Sequence, residues 1–233
     1  MKSCKAFWRR VLRAMPLHPQ WLLGARGVPP ELLACRGLVA DLGAGDRWLQ
    51  TKLDLSVRYV ALDLPFDGGQ PYGARPDAFA RVEALPLADA SVDAVACFEV
   101  LEHVTEPAVA IAEAARVLRS GGLSVVSTPF LYPLHDQPRD FRRYTPFGLE
   151  QALSAAGLEV VCVRPMLRAL EVTGLLAALA IAGGVAKGGW RWLLLPLAGP
   201  AVLAINLAAW LGARLWPEWD GMAMGYEAVA RKP

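Results

Sequence analysis

Cysteine is scarce in this chain, and it is scattered. Cys4, Cys35, Cys97 and Cys162 show no paired spacing, so neither a cysteine-based structural zinc site nor a disulfide framework has support. Free thiols in a reducing compartment are the expectation. A dominant sign of charge is also lacking: 24 Lys and Arg against 22 Asp and Glu leave a net charge of +2. That argues against a surface built wholly for nucleic acid. Histidine occurs 3 times, so imidazole chemistry is confined to His18, His103 and His135. Residues 1–27 hold no uninterrupted apolar core of the signal-peptide kind, and secretion is not expected. Apolar character, by contrast, is abundant. Hydrophobic residues make up 55% of the 233, charged residues only 20%, and mean hydropathy is +0.32. The excess is concentrated in residues 168–219.

The first 27 residues interleave Lys2, Lys5, Arg9, Arg10 and Arg13 with Phe7, Trp8, Val11 and Leu12. A helix there has one basic and one aromatic-aliphatic side, which suits an anionic membrane surface, a lid, or packing on the domain. After Pro29-Pro30 the pattern alternates. Leu38–Leu42 reads as a strand ending in a glycine turn that opens a helix, and Arg58–Asp63 as a second strand, again ending in an acid. Ser91–Cys97, Leu123–Thr128, Leu158–Val163 and residues 226–231 read as further strands. Pro107–Leu118 has helical spacing, with Gly121-Gly122 expected to stop it. Thr145-Pro146 starts another helix that ends before Gly157. Alternation of this kind predicts an α/β fold: a Rossmann-like, seven-stranded, mostly parallel sheet with helices on both faces. Ligands in such sheets bind at the carboxyl ends of the strands. Asp41, Asp63, Phe98 and Glu99 fall there.

Glycine in the bend Gly43-Ala44-Gly45 permits positive φ and close approach of a ligand. Asp63 lies 20 residues after Gly43, where an acid can accept both hydroxyls of a ribose. A dinucleotide fingerprint needs a third glycine at position 48, and Trp48 stands there instead. Glu99, Glu102 and His103 are spaced i, i+3 and i+4, as on one helix face. His135 lies in a Pro133–Asp140 stretch read as a loop over the site. Arg139, Arg142 and Arg143 with Tyr144 form either a grip for an anionic group or a solvated basic face.

With those residues in place, the chain resembles class I S-adenosylmethionine-dependent methyltransferases, the group that includes the ubiquinone-pathway O-methyltransferases. The resemblance is carried by Asp41-Leu42-Gly43-Ala44-Gly45, Leu62-Asp63, Glu83-Ala84-Leu85-Pro86-Leu87, Ser91-Val92-Asp93, residues 98–104 and Leu118-Arg119-Ser120-Gly121-Gly122. It spans residues 37–164 and resumes at 225–232. It implies S-adenosylmethionine as cofactor: Asp41, Gly43, Ala44 and Gly45 at its methionine end, Asp63 and Leu64 at the ribose, Ala84 and Leu85 flanking adenine, and Phe98 and Glu99 lining the pocket. One departure is Arg47, where the family often has a third glycine. Methyl transfer asks mainly for alignment and exclusion of water. For an oxygen acceptor a base helps, and His135 and His103 are the candidates. No metal is assigned, although some related O-methyltransferases bind Mg²⁺ through this acid-and-histidine spacing. Whether Glu99, Glu102, His103 and His135 do so is left open.

Val172–Ala186 and Trp192–Ala213 hold no charge. The first is about 22 Å long as a helix, short of a hydrocarbon core of roughly 30 Å; the second is long enough but contains Pro196, Pro200 and Asn206. Flanking strands in one sheet require the insertion to return to the side it left, so an apolar helical hairpin, re-entrant or interfacial, is expected before the last strand. Trp190, Arg191, Trp192, Trp210, Arg214, Trp216 and Trp219 suit headgroup-level anchors. The alternative is a cap or dimer contact buried against protein.

The expected organisation is a basic segment 1–30, a methyltransferase domain 31–167 and 222–233, and an insertion 168–221. The expected function is O-methylation of a small lipid-linked, isoprenoid or envelope-glycan acceptor by a protein that is cytoplasmic, peripheral or monotopic at the inner face of the cell membrane, without nucleic acid. The rivals are a catalytically silent membrane scaffold and a metal-dependent RNA 2′-O-methyltransferase.

Overall fold

The computed structural model describes residues 13–24, 27–65 and 74–233. Most of the basic amphipathic segment expected over 1–30 lies outside the described residues. The chain divides into two compact units. One holds residues 27–130, 134–165 and 225–233; the other holds residues 131–133 and 166–224 together with the described residues before 27.

The first unit is a seven-stranded sheet in the order β3-β2-β1-β4-β5-β7-β6. Its strands are β1 (Leu38–Leu42), β2 (Arg58–Asp63), β3 (Ala78–Phe79), β4 (Val92–Phe98), β5 (Leu118–Pro129), β6 (Glu159–Met166) and β7 (Gly225–Arg231). The β1–β2, β1–β4, β2–β3 and β4–β5 pairs are parallel, and β7 runs antiparallel to β5. The central strands read as apolar runs because both faces are covered. On one face, α1 (Pro30–Leu33) brings Leu32 against Val39, Ala94, Ala96 and Val229. On the other, α2 (Pro107–Val117) places Ala110, Ile111 and Ala114 beside Leu42, Cys97 and Val126. The six strands read from the sequence form in the expected order, joined by β3 and α1, which were not among the elements read. The start of α3 (Pro146–Ala155) also forms as read: Thr145 Oγ1 accepts from the Gly148 amide at 3.1 Å, and Gly157 closes the far end at φ +79°.

Two local expectations fail. No α-helix follows the Gly43–Gly45 bend; only the 3-10 turn Leu49–Thr51 forms. Residues 43–57 must span back to β2, and Arg47 at φ +59° interrupts helical backbone. Nor do Gly121 and Gly122 stop α2. The helix ends at Val117 and β5 begins at once, with both glycines inside it. The helix end is instead satisfied from a distance: Lys232 Nζ donates to the carbonyls of Ala115 and Leu118, both at 2.8 Å. A cation on the last carbonyls also complements the helix dipole. Pairing of Gly121 and Gly122 with Lys232 draws these residues into the sheet.

The second unit is an antiparallel pair of apolar helices, α4 (Ala169–Ala186) and α5 (Leu195–Leu215), with the 3-10 segment Gly189–Leu194 between them. They are about 27 Å and 32 Å long at the usual helical rise. The first therefore starts earlier than the uncharged run at Val172 and is longer than expected. Pro200 and Asn206 do not break α5. Pro200 forfeits only the bond to the Pro196 carbonyl in the first turn. Asn206, fully buried, turns its amide outward and donates to the Pro16 and His18 carbonyls at 2.6 and 3.0 Å. Gly174 lets the helices meet closely, since a Cβ there would lie 2.4 Å from Ala209 Cβ. Val172, Leu175, Leu22 and Met224 form this unit's own core.

Candidate active site

The carboxyl ends of β1, β2 and β4 lie side by side in register, Leu42 opposite both Leu62 and Cys97. Beyond Leu42 the chain turns sharply, with Gly43 at φ +70° and Gly45 at +53°. Val100 packs on the bare Gly43 backbone, where a Cβ would come within 2.4 Å of Val100 Cγ2. The amides of Gly43 and Ala44 both donate to the Leu62 carbonyl, at 2.8 and 3.1 Å. The Gly45 amide donates to Asp63 Oδ2 at 3.0 Å, and the Leu64 amide to Asp63 Oδ1 at 2.7 Å. The bend is thus open-backed and clamped to β2. With no helix behind it, it offers a ligand close approach rather than a row of free amides. Asp63 is turned toward the bend.

Asp41 sits one layer below, 3% exposed, and accepts a short hydrogen bond from the Tyr59 hydroxyl. Burial is the main reason its carboxyl is pushed up to about 7; the Tyr59 bond opposes the rise and the neighbouring Asp63 charge adds to it. Arg47 closes the bend. Its guanidinium makes paired bonds to Asp77 at 2.9 and 3.0 Å and lies 5.4 Å from the Tyr59 ring centroid. The residue at the departed glycine position keeps a glycine-like backbone and uses its side chain as a brace.

The outer wall is aromatic. Phe98 and Trp48 pack with ring centroids 5.5 Å apart. Ala84 and Leu85, expected to flank adenine, have their amides committed: Ala84 to the Arg81 carbonyl at 3.1 Å and Leu85 to Glu113 Oε2 at 2.9 Å. Arg116 fixes that carboxylate and donates to the Leu85 carbonyl, so the segment is held rigid from behind. Glu99 stands at φ +55°, its amide bonded to the Ser127 carbonyl and its Oε1 accepting from the Ser127 hydroxyl at 2.7 Å.

Glu99, Glu102 and His103 do not share a helix face. A 3-10 turn, Leu101–His103, replaces the expected helix start, and Glu99 turns away to Ser127. What converges is Glu102, His103 and His135. Their imidazole rings meet edge-on with centroids 4.9 Å apart, and each Nε2 lies 3.7 Å from Glu102 Oε1. Asp140, whose side chain is 1% exposed, holds His135 through the His135 amide at 3.0 Å and Nδ1 at 3.2 Å. Arg143 keeps Asp140 ionised, its carboxyl far below the usual range chiefly through their hydrogen bond. The arginine grip is not assembled: Arg143 pairs with Asp140, and Arg142 donates to the Val104 and Thr105 carbonyls.

A protein-family model described as a methyltransferase domain matches residues 40–126. A probable S-adenosylmethionine-dependent methyltransferase of Mycolicibacterium smegmatis is 43% identical over 82 residues, 33% of this chain and 32% of that protein. One from Mycobacterium tuberculosis is 54% identical over 50 residues, 22% of this chain and 18% of that one. Residues 40–126 thus match a methyltransferase domain. The cofactor of such a domain is S-adenosylmethionine.

Among solved structures, an S-adenosylmethionine-dependent methyltransferase from Archaeoglobus fulgidus superposes with a TM-score of 0.55 at 15% identity, over 87% of this chain and 89% of that one. The [4+2]-cyclase SpnF superposes at 0.56 and 22% identity, over 87% and 78%. These likenesses show the fold alone. The chain spans about a third or less of the first curated relatives, and the methyltransferase match stops before His135 and the apolar helices. The acceptor side of the site therefore rests on this chain's own residues. Sequence reasoning missed Tyr59, Trp48 and Asp140. Tyr59 was findable, because β2 puts it opposite Val39 and so on the same face as Asp41.

Proposed function

We propose that the protein transfers the methyl group of S-adenosylmethionine to an oxygen of a small lipid-linked, isoprenoid or envelope-glycan acceptor, at the inner face of the cell membrane. The observation that carries the cofactor half is Asp63, clasping the Gly43–Gly45 bend above buried Asp41. In the reaction an acceptor oxygen attacks the methyl carbon. The carbon–sulfur bond breaks, S-adenosylhomocysteine leaves, and the acceptor's proton is drawn off by the His103–His135–Glu102 cluster. The domain holds the sulfonium in line and keeps water away.

The membrane half is supported by α5 and the segment before it. Leu197 is 71% exposed, Leu215 76% and Trp216 69%. So large an apolar face on a protein otherwise able to bury its core marks an interaction surface. Both helices are long and apolar enough to cross a bilayer. Tryptophans and Arg191 at the ends suit a hairpin anchored at headgroup level.

Calorimetry with S-adenosylhomocysteine tests the cofactor reading. Wild type is expected to bind and Asp63→Ala to lose binding; no binding by wild type refutes it. Flotation with vesicles of mixed zwitterionic and anionic lipid tests the membrane reading, and recovery of all protein at the bottom refutes it. Cofactor binding without turnover on any extracted lipid would instead favour the silent scaffold.

A further inference from the structure

We infer that the tip of the helical hairpin holds one anionic lipid, with its hydrocarbon chain in the cleft between α4 and α5 and its phosphate on Arg191. The inference deepens the membrane reading above, and it rests on that reading for the source of the ligand. The argument begins with glycine. Near the start of α4 the two helices touch, since a Cβ on Gly174 would lie 2.4 Å from Ala209 Cβ. Toward the tip they part. A Cβ on Gly183, Gly184 or Gly199 would meet nothing within 4 Å. The connection explains the parting. Gly189–Leu194 is a 3-10 segment, which at about 2.0 Å per residue spans roughly 12 Å. Helices in contact stand only about 8–10 Å apart.

The parting leaves a groove of about 510 Å³, within the roughly 300–1,000 Å³ of small-molecule sites. Ala180, Ile181, Val185, Leu197 and Ala201 give it alkyl walls, and Arg191 is the one charged residue lining it. Elsewhere the hairpin fills itself, with Val172, Leu175 and Val202 buried. From Leu195 to Pro200, by contrast, α5 buries no residue. Alkyl surface left open in this way calls for an apolar occupant.

Charge selects which one. Between Glu171 and Glu218 the chain carries Lys187, Arg191 and Arg214 and no acid. Arg214 is satisfied away from the tip, 3.7 Å from Glu171 and 3.7 Å from the Trp210 ring centroid. Among the described residues, Lys187 and Arg191 have no acidic partner; Arg191 lies over its neighbour Trp190, 5.5 Å from the ring centroid. The helix dipole favours Lys187 at the end of α4, but it fades within a turn and does not account for Arg191. Two such cations beside alkyl walls match a molecule that has both a hydrocarbon chain and an anion. A guanidinium binds phosphate through paired N–H groups. Trp190 and Trp192, 67% and 63% exposed, suit the depth at which a lipid phosphate lies. A neutral lipid tail answers the walls but not the cations, and free phosphate answers the cations but not the walls.

The test uses the full chain in non-ionic detergent, mixed with oleoyl lysophosphatidic acid or oleoyl lysophosphatidylcholine and read by native mass spectrometry. The two probes share a chain and differ in head charge. One equivalent of the acidic lipid is expected to be retained, preferred about 25-fold at roughly fivefold for each of two cations, and not displaced by inorganic phosphate. Gly184→Phe fills the groove and should retain neither lipid. Arg191→Gln should still take the chain, with the preference cut to about fivefold. Both variants should keep the wild-type circular dichroism, which shows that they fold. Wild type that floats with vesicles but retains no lipid, or retains both equally, overturns the inference and leaves the membrane reading standing. Equal retention by Gly184→Phe also overturns it, as does displacement by inorganic phosphate. One acidic lipid retained by wild type that does not float upholds the groove and overturns the membrane reading.

Discussion

Under the proposed function, Asp41 is expected to couple cofactor affinity to pH. Its carboxyl is 3% exposed, bonded to Tyr59, and pushed up to about 7. On that reading, S-adenosylmethionine would bring a sulfonium and an ammonium to the bend above it. A bound cation favours the ionised carboxyl, so binding below pH 7 releases a proton. If the carboxyl must ionise to bind, affinity at pH 5.5 is about 25-fold weaker than at pH 7.5, approaching tenfold per pH unit on the acid side. Asp41→Asn keeps the shape and an acceptor for Tyr59 but cannot ionise. It should bind weakly with a flat profile, within about twofold over the same range.

Stability carries the opposite signature. A carboxyl whose folded pKa is raised loses stability as pH climbs from about 4 to 7, because the unfolded chain gives up the proton first. The rise from 3.8 to about 7 sets an upper bound of about 4 kcal/mol, so Asp41→Asn should be the more stable protein at pH 8. Calorimetry in buffers of different ionisation enthalpy counts the released proton, and urea melts at pH 5 and pH 8 give the second arm. A wild-type affinity unchanged from pH 5.5 to 7.5, or an equal slope in Asp41→Asn, refutes the reasoning.

Gly43→Ala sets a Cβ 2.4 Å from Val100 Cγ2 at a φ of +70° and should cost about 2–4 kcal/mol. Adding Val100→Ala should recover the steric part but not the backbone part, which a double-mutant cycle in urea would resolve. Lys232→Met removes the ammonium from the carbonyls of Ala115 and Leu118 and should cost about 1–2 kcal/mol, with faster amide exchange confined to the last turn of α2. Uniform exchange across the sheet would contradict that cap.

Several readings held where neighbours in sequence supply the deciding contact. The acid-tipped β1 and β2 are short apolar runs ended by a turn. Thr145 caps α3 through an amide three residues away, and Gly157 closes it with a backbone only glycine adopts cheaply. The readings failed where the deciding contact comes from far along the chain. Gly121 and Gly122 look like a helix stop, but Lys232 ends the helix and β7 recruits the glycines. Pro200 and Asn206 look like breaks in an apolar run, yet Asn206 finds its acceptors at Pro16 and His18, nearly two hundred residues earlier.

By itself, then, the sequence determined the order of six of the strands, the helices at Pro107 and Pro146, the bend with its two acids, and the apolar insertion before the last strand. Hydrophobic period, turn chemistry and chain connectivity are properties of short stretches, and they do not wait for the fold. Only the tertiary structure decided that Glu99 leaves its group and His135 joins it, that Tyr59 shields Asp41, and that Arg47 braces the bend against Asp77. Those choices depend on distances between strands and loops, and a list of residues carries no distances.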